Sequence, residues 1–483
     1  MSVRRRCVVL FFGTVLASGA FATPAGAKTI KVDALADGFA DNAKCGLREA
    51  VQAANTNTAG FGCTNGRQNE RDTIVLKAKA YQLTVPTTNE DSNQNGDLDV
   101  PFGGPLTVKG AGRGATSIVQ TVEDRVFEVP LSQGDLTLQG LRITGGDVRG
   151  FSAAEARGGA ARTVGELNLS KVAVGDNSAS VGGGAYASNS AALKSTQTRF
   201  AGNAATAGGA ISLANSATAT VKRSIFAGND VSTDGDVQGG AINHASLVEV
   251  KITDSTFLRS KASSVGVGNT ALGGAIRSSG PLTIRRSLFS SNTTSAGTDN
   301  VQEHGGAIYT TGGNPEIVNS TFHRNRAGLG DDDDGRGGAL FVNAGSAVVR
   351  HATFRNNVAS DAGGNIAATS PGTIAIFGSI LAGGDPCGGD LGFGSEGFNV
   401  AAANDPDCSF VGNDLAPATL GLGPLRNNGG PTQTVAISKG SDARNFVAKA
   451  PCKTHTGGVD QRGFKRPVGK RCDAGAFERG ARP

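Results

Sequence analysis

Apolar positions between residues 157 and 381 recur in columns set by a repeat. A Gly-Gly pair opens a unit at Gly158, Gly183, Gly208, Gly239, Gly273, Gly305, Gly337 and Gly363, at intervals of 25, 25, 31, 34, 32, 32 and 26 residues. An apolar residue follows each pair by 16 to 18 positions: Val174, Phe200, Phe226, Phe257, Phe289, Phe322, Phe354 and Leu381. Five residues earlier stand Leu169, Ser195, Val221, Ile252, Ile284, Ile317, Val349 and Ile376, and seven earlier stand Leu167, Leu193, Ala219, Val250, Leu282, Pro315, Ala347 and Ile374. A further column, Tyr186, Ile211, Ile242, Ile276, Ile308, Leu340 and Ile366, follows the glycines by three. Offsets of two are the period of a strand. The inward parity then changes at a small residue (Ser224, Ser255, Ser287, Ser320), which needs a corner.

Each unit therefore predicts three short strands joined by bends, one turn of a single-stranded right-handed parallel β-helix of the pectin-lyase-like kind. Its shaft would hold Phe on Phe and Ile on Ile at the strand spacing of about 4.8 Å. Asn177, Asn203, Asn229, Asn292, Asn325 and Asn357 lie three residues past the Phe column and predict a stacked amide ladder at a corner. The paired glycines suit corners that tolerate no Cβ. Leu106 and Val108, then Leu136 and Leu138 with Ile143, fit the same columns, so about ten coils are expected. The surplus in the longer units, at 231–237, 263–270, 295–303 and 328–336, is expected to leave as loops on one side, where recognition would be placed.

GGAI at Gly208, Gly239, Gly273 and Gly305, with its STF-x-x-N partner, resembles the repeat of the polymorphic outer membrane proteins, a group of bacterial surface β-helix proteins. Ser260 stands where one unit lacks the Asn. Nothing reads as the membrane barrel those larger proteins carry.

Residues 1–27 read as a secretory signal peptide: Arg4 to Arg6, an apolar run from Cys7 to Phe21, and a small-residue cleavage site at Ala25 to Ala27. From 28 to 104 a cap and the first coils are expected. In KCGLREA the residues Leu47, Val51 and Ala54 share a helical face, suited to covering an open solenoid end. This segment resembles the CSLREA domain of secreted bacterial β-helix proteins, with Gly46 in place of Ser. Arg48 and Glu49 do not share a face and are read as part of the cap.

The repeats occupy 105–382 and a C-terminal module 383–483. There DQRG from Asp460, Arg466-Pro467, and CDAGAFE from Cys472 closely resemble the choice-of-anchor Q domain of surface proteins. The resemblance implies surface association without naming an attachment.

Six cysteines beyond the leader imply disulfides in an exported chain. Cys45 and Cys63, alone at one end of a rod, should pair. The other four allow three pairings, of which Cys387–Cys408 and Cys452–Cys472 are favoured by proximity.

Candidate chemistry is sparse. Asp91, Asn93, Asn95, Asp97 and Asp99, with Gly96 at the turn, reproduce the front of a calcium loop, the Asp97 carbonyl being one ligand. Phe102 stands where a closing bidentate Glu would be, so Asp99 would close a possible structural calcium site. Asp331 to Asp334 form a charge run that is read as solvated. Catalytic residues are expected to be none. His244, His304, His323 and His351 suit turns or strand faces, and paired carboxylates for hydrolysis are not evident. Asp254, Arg286 and Asn319 share one position and would line a groove if the chain were a polysaccharide lyase or hydrolase.

The net charge is +5, with Lys and Arg dispersed and no basic stripe in the sequence, and aromatic residues are nearly all Phe, with no Trp. These features speak against a nucleic-acid partner. The chain thus reads as an exported, extracellular or surface-associated monomer of adhesin type. It would bind a glycan or protein ligand, with no membrane span in the mature chain and no required cofactor.

Overall fold

The structure is a computed structural model. It describes residues 28–483 except 41, 88–90, 102–103, 267, 298–301, 329–333, 384 and 390–391. The leader and its expected cleavage site, Phe102, and Asp331 to Asp333 lie outside the described residues.

Three parallel sheets of 13, 11 and 12 strands wind around one apolar shaft as a right-handed parallel β-helix. The first sheet starts at Thr29–Lys31 and ends at Phe393–Gly397. The stack is therefore longer at both ends than the glycine repeats indicate, about 58 Å along the axis at the usual strand spacing.

Register follows the columns. Leu169 lies over Ser195, then Val221, Ile252, Ile284, Ile317, Val349 and Ile376. Phe200, Phe226, Phe257, Phe289, Phe322 and Phe354 are wholly buried. Their centroids are 4.6 to 5.0 Å apart with planes within 9° of parallel.

Two ladders close the corners around this shaft. Asn177 donates through Nδ2 to Asn203 Oδ1, and Asn203 to Asn229, at 2.9 Å each. After a break at Ser260, Asn292 donates to Asn325, and Asn325 to Asn357, again at 2.9 Å. The serines read only as small residues form the other ladder: the amide of Ser224 donates to Ser255 Oγ, Ser255 to Ser287, and Ser287 to Ser320, each at 3.2 Å.

At the glycine corner, Gly273 has φ +69°, and a Cβ there would stand 2.1 Å from the Ile276 carbonyl. On its neighbour Gly274 a Cβ would meet the Gly306 carbonyl at 2.2 Å, so the next coil excludes any side chain.

Two expectations need correction. Ala185, not Tyr186, continues the inward column beneath Ile211. The run Gly182–Gly184 hides which pair opens the unit, and positive φ falls on Gly182. Tyr186 faces outward, with Arg157 donating to its hydroxyl at 3.1 Å. The surplus residues of the long units are also not plain loops. They form two further parallel stacks, of six and four short strands, including Asp230–Thr233, Lys261–Ser264 and Thr293–Ser295. This lateral fin has its own small core of Ala205, Val231, Val237, Ala262 and Ala271.

Helix α1, Leu47–Thr56, covers the N-terminal end with Leu47, Ala50, Val51 and Ala54 in the main core. Glu49 secures its start by accepting from the amides of Gly46 and Ala40, both at 2.7 Å. The structure pairs Cys45 with Cys63, Cys387 with Cys408, and Cys452 with Cys472.

Candidate functional site

At the N-terminal end the expected calcium loop is organised by an arginine. Arg48, fully buried on α1, donates to the carbonyls of Asn95 at 3.1 Å, Asp97 at 2.6 Å and Gly96 at 2.7 Å. Asp37 holds its other side at 2.8 Å. The Asp97 carbonyl expected on a metal is thus taken by a guanidinium. Asn93 turns its amide to the Arg48 carbonyl at 3.0 Å. The turn that carries the five expected ligands is thus gathered by a cation from a helix more than forty residues upstream.

Of those five, Asp91 and Asp99 do come together, joined by Glu128, their carboxylate oxygens lying within 4.8 Å of one another. Asp91 is exposed while Asp99 and Glu128 are buried, and Arg125 bonds to Glu128 and lies 3.5 Å from Asp97. Burial raises the Asp97 carboxyl well above the carboxylate range, and the neighbouring Asp99 and Asp124 charges add to it. Burial also raises Glu128, against the pull of Arg125. Asp97, Asp99, Glu128 and Arg125 are all buried, so these charges form a packed network that Asp91 borders from the surface.

The second region is the outer face of the third sheet, whose inner face carries the phenylalanines. Its C-terminal half is covered. Beyond Ala401 the chain forms an antiparallel pair, Leu422–Arg426 with Thr434–Ile437, and helix α2, Lys449–Thr456, then folds back along the solenoid. The module shares its core with outward residues Phe377 and Ile380 of the coils.

The DQRG…RP…CDAGAFE residues make this latch. Arg466, 1% exposed, reaches Glu478 at 3.2 Å, Asn319 Oδ1 at 3.0 Å, and the carbonyls of Asp473 and Gly475 at 3.1 and 3.0 Å. Asp460 holds Arg462 at 2.7 Å, and that guanidinium lies 3.8 Å over the Phe477 ring. Gln461 donates to the Ser287 carbonyl at 3.3 Å, and Ala476 to Thr353 Oγ1 at 2.9 Å.

Of the three residues expected to line a groove, Asn319 is therefore buried under the module. Asp254 and Arg286 form an ion pair at 2.7 Å beside its edge.

The N-terminal half of the same face is open. A depression of about 400 Å³ there is lined by Arg113, Arg142, Arg199, Asp176 and small residues including Ala173 and Gly202. Arg142 pairs with Asp176 at 2.6 Å. Arg199, exposed and in register with Arg142 across Ala173, has no ion-pair partner among the described residues. Sequence reasoning missed this grouping, because its members lie a coil apart.

His244 and His304 hold no such position. His244 is wholly buried between Ser278 Oγ at 2.8 Å and the Val248 carbonyl at 2.9 Å, and burial lowers its pKa to about 4. His304 stacks on Phe341 at 4.2 Å and is likewise lowered by burial to about 4. Asp334, at the end of the acidic run, pairs with Arg336 at 2.8 Å. No helix among the described residues is long and apolar enough to cross a membrane.

Comparison with known proteins adds one family match: residues 286–311 fit the Chlamydia polymorphic membrane protein repeat. No curated protein matches the chain. Among solved structures the chain is similar to the pectate lyase Pel9A, at 14% identity over 94% of this chain and 97% of that one, TM-score 0.39. It is also similar to the A-module of an Azotobacter vinelandii mannuronan C-5 epimerase, at 11% identity over 69% and 91%, TM-score 0.29. A GH87 alpha-1,3-glucanase catalytic unit from Streptomyces thermodiastaticus gives 13% identity over 82% and 72%, TM-score 0.30. At these scores no activity is carried over from the three enzymes.

Proposed function

We propose that the protein is an exported, surface-associated β-helix rod that binds a ligand without acting on it. The observation that carries this reading is the make-up of the open lateral depression. It holds three arginines and one carboxylate, and that carboxylate, Asp176, is already paired with Arg142. Glycoside hydrolysis needs two carboxylates set across the scissile bond, and in the N-terminal cluster every acid but Asp91 is buried beside an arginine. The repeat match at 286–311 supports a place at a cell surface. The reading requires no cofactor.

The rival is a polysaccharide lyase using the same depression, and the unpaired Arg199 is what favours it. Incubating the purified chain with uronate-containing and neutral glycans separates the two. Bound glycan recovered intact supports the rod, whereas new reducing ends or unsaturated products would overturn it.

A further inference from the structure

The open half of the third sheet carries a line of cations that no stretch of the sequence displays. Arg142 and Arg199 stand on the outward row, two coils apart with Ala173 between them. Lys171 and Arg223 occupy the turn before the strand, where Gln197 stands in the coil between; the amides of Lys171 and Gln197 bond to the coils above them at 2.9 and 3.0 Å. Arg113 precedes the strand Ser117–Gln120 and Arg259 follows the strand Thr256–Leu258. Six successive coils therefore each carry one exposed Arg or Lys on or beside this face. Arg113, Arg142 and Arg199 line the depression, and Lys171, Arg223 and Arg259 stand at the turns flanking the strands.

The opposing charge is small: Asp176, paired with Arg142, and Asp254, nearly buried and paired with Arg286 at 2.7 Å and more distantly with Arg223 at 3.9 Å. The line stops where the C-terminal module begins, at the coil whose Arg286 carbonyl accepts from Thr432 at 3.4 Å. Its length is about 24 Å, five strand spacings.

We infer that this track binds a linear acidic polysaccharide lying along the solenoid axis. The inference rests on the ligand-binding reading above and names the ligand class. Cations recurring at each strand spacing suit a polymer that repeats its anionic group at every sugar or every second sugar. The small residues Ala173, Gly175, Ala201 and Gly202 leave the floor shallow enough for a chain to approach the backbone. No aromatic ring lines the depression, so bases would find no stacking platform. That favours a glycan held by charge over a nucleic acid. The two carboxylates along the path, Asp176 and Asp254, are each ion-paired and three coils apart, so they are not set across one glycosidic bond as hydrolysis requires.

The test is binding of the mature chain to immobilised polygalacturonate, a sulfated glucan, neutral dextran and single-stranded oligothymidine over a salt series. Acidic glycans should be retained at low salt and dextran should not; the carboxylate and sulfate arms tell which anion the track prefers. The double variant Arg142→Ala/Arg199→Ala should weaken retention at least about tenfold at low salt and flatten the salt slope by about two. Ala173→Glu, which keeps both arginines, should also weaken it, and Lys194→Ala on the first sheet should not.

Absence of acidic-glycan binding, or binding indifferent to these variants, would overturn the track while leaving the rod reading in place. Oligothymidine bound as tightly and with the same sensitivity would overturn the ligand class. Cleavage of a glycan that binds through these arginines would instead overturn the non-catalytic reading alone.

Discussion

Phe257→Ala probes the shaft where it should be least forgiving. Phe257 is wholly buried, and its ring stacks on Phe226 and Phe289 at 4.6 Å on either side, tilted by 3° and 2°. Truncating a core Phe to Ala costs about 3–5 kcal/mol, depending on how far the surroundings collapse. Collapse is opposed here, because parallel ladders pin Phe226 and Phe289 on the flanking strands. Each lost ring pair adds about 0.5–1.5 kcal/mol beyond area burial, so the upper end, about 5 kcal/mol, is expected.

Phe200 supplies the internal control. It has a ring neighbour on one side only, Phe226 at 4.9 Å, with Val174 on the other. Phe200→Ala should therefore cost about 1 kcal/mol less, one ring pair.

Global stability is read by urea unfolding, and its distribution by amide hydrogen exchange, since a long solenoid need not unfold in one step. In a structure whose coils touch only their neighbours, protection should fall in the strands holding Phe226, Phe257 and Phe289 and recover a few coils away. A cost below about 1 kcal/mol, equal costs at Phe200 and Phe257, or protection lost evenly from end to end would refute the stacked-shaft reasoning.

Ser260→Asn should repair the gap in the amide ladder. The buried Ser260 hydroxyl has no partner, while an amide there could bond Asn292 Oδ1 and the Phe226 carbonyl as its counterparts do, so a gain of about 1 kcal/mol is expected; a loss of stability would show the corner too tight for the ladder. Arg466→Met should release the module, since it leaves the buried Glu478 without its cation, held only by the amides of Val468 and Asp473, and removes the bond to Asn319, a cost of about 3–5 kcal/mol. Limited proteolysis should then clip residues beyond 401 while the β-sheet circular dichroism persists, and a protease-resistant module would argue against the latch. Because His244 is held neutral with its pKa near 4, the unfolded chain takes up its proton first as pH falls below about 6.5. The stability from His244 is whole above that pH and wanes below it, so wild type should lose about 1 kcal/mol more than His244→Gln between pH 7.5 and 5.5; equal losses would refute this. Equilibrium dialysis should find no stoichiometric calcium uptake, because Arg48 occupies the carbonyls of Asn95, Gly96 and Asp97. Uptake abolished by Glu128→Gln would show instead that Asp91, Asp99 and Glu128 hold an ion.

What the sequence makes legible follows from what repeats. A buried column must be filled in every coil, so Ile252 over Ile284 and Phe257 over Phe289 could be aligned from spacing alone, and the register agrees. At Tyr186 three consecutive glycines leave the frame of one unit open, and a shift of one residue turns a side chain from the shaft to the other face of the sheet, where Tyr186 is nonetheless buried. The fin strands escape notice because they are two to four residues long around a very small core, with little periodic signal.

The cation track escaped for a different reason. Arg142, Lys171, Arg199 and Arg223 lie 24 to 29 residues apart at alternating offsets, so they look dispersed along the chain and contiguous only once the coils are stacked. Arg48 and Arg466 mark the remaining limit. Both sit in motifs that could be singled out by eye, yet Arg48 reaches carbonyls 47 to 49 residues away and Arg466 reaches Asn319, 147 residues away, on elements whose own sequences carry no trace of an incoming guanidinium. A loop rich in Asp and Asn states that a positive charge is wanted. Whether a metal ion or an arginine supplies it is decided by the chain that packs against the loop, and here α1 brings the arginine.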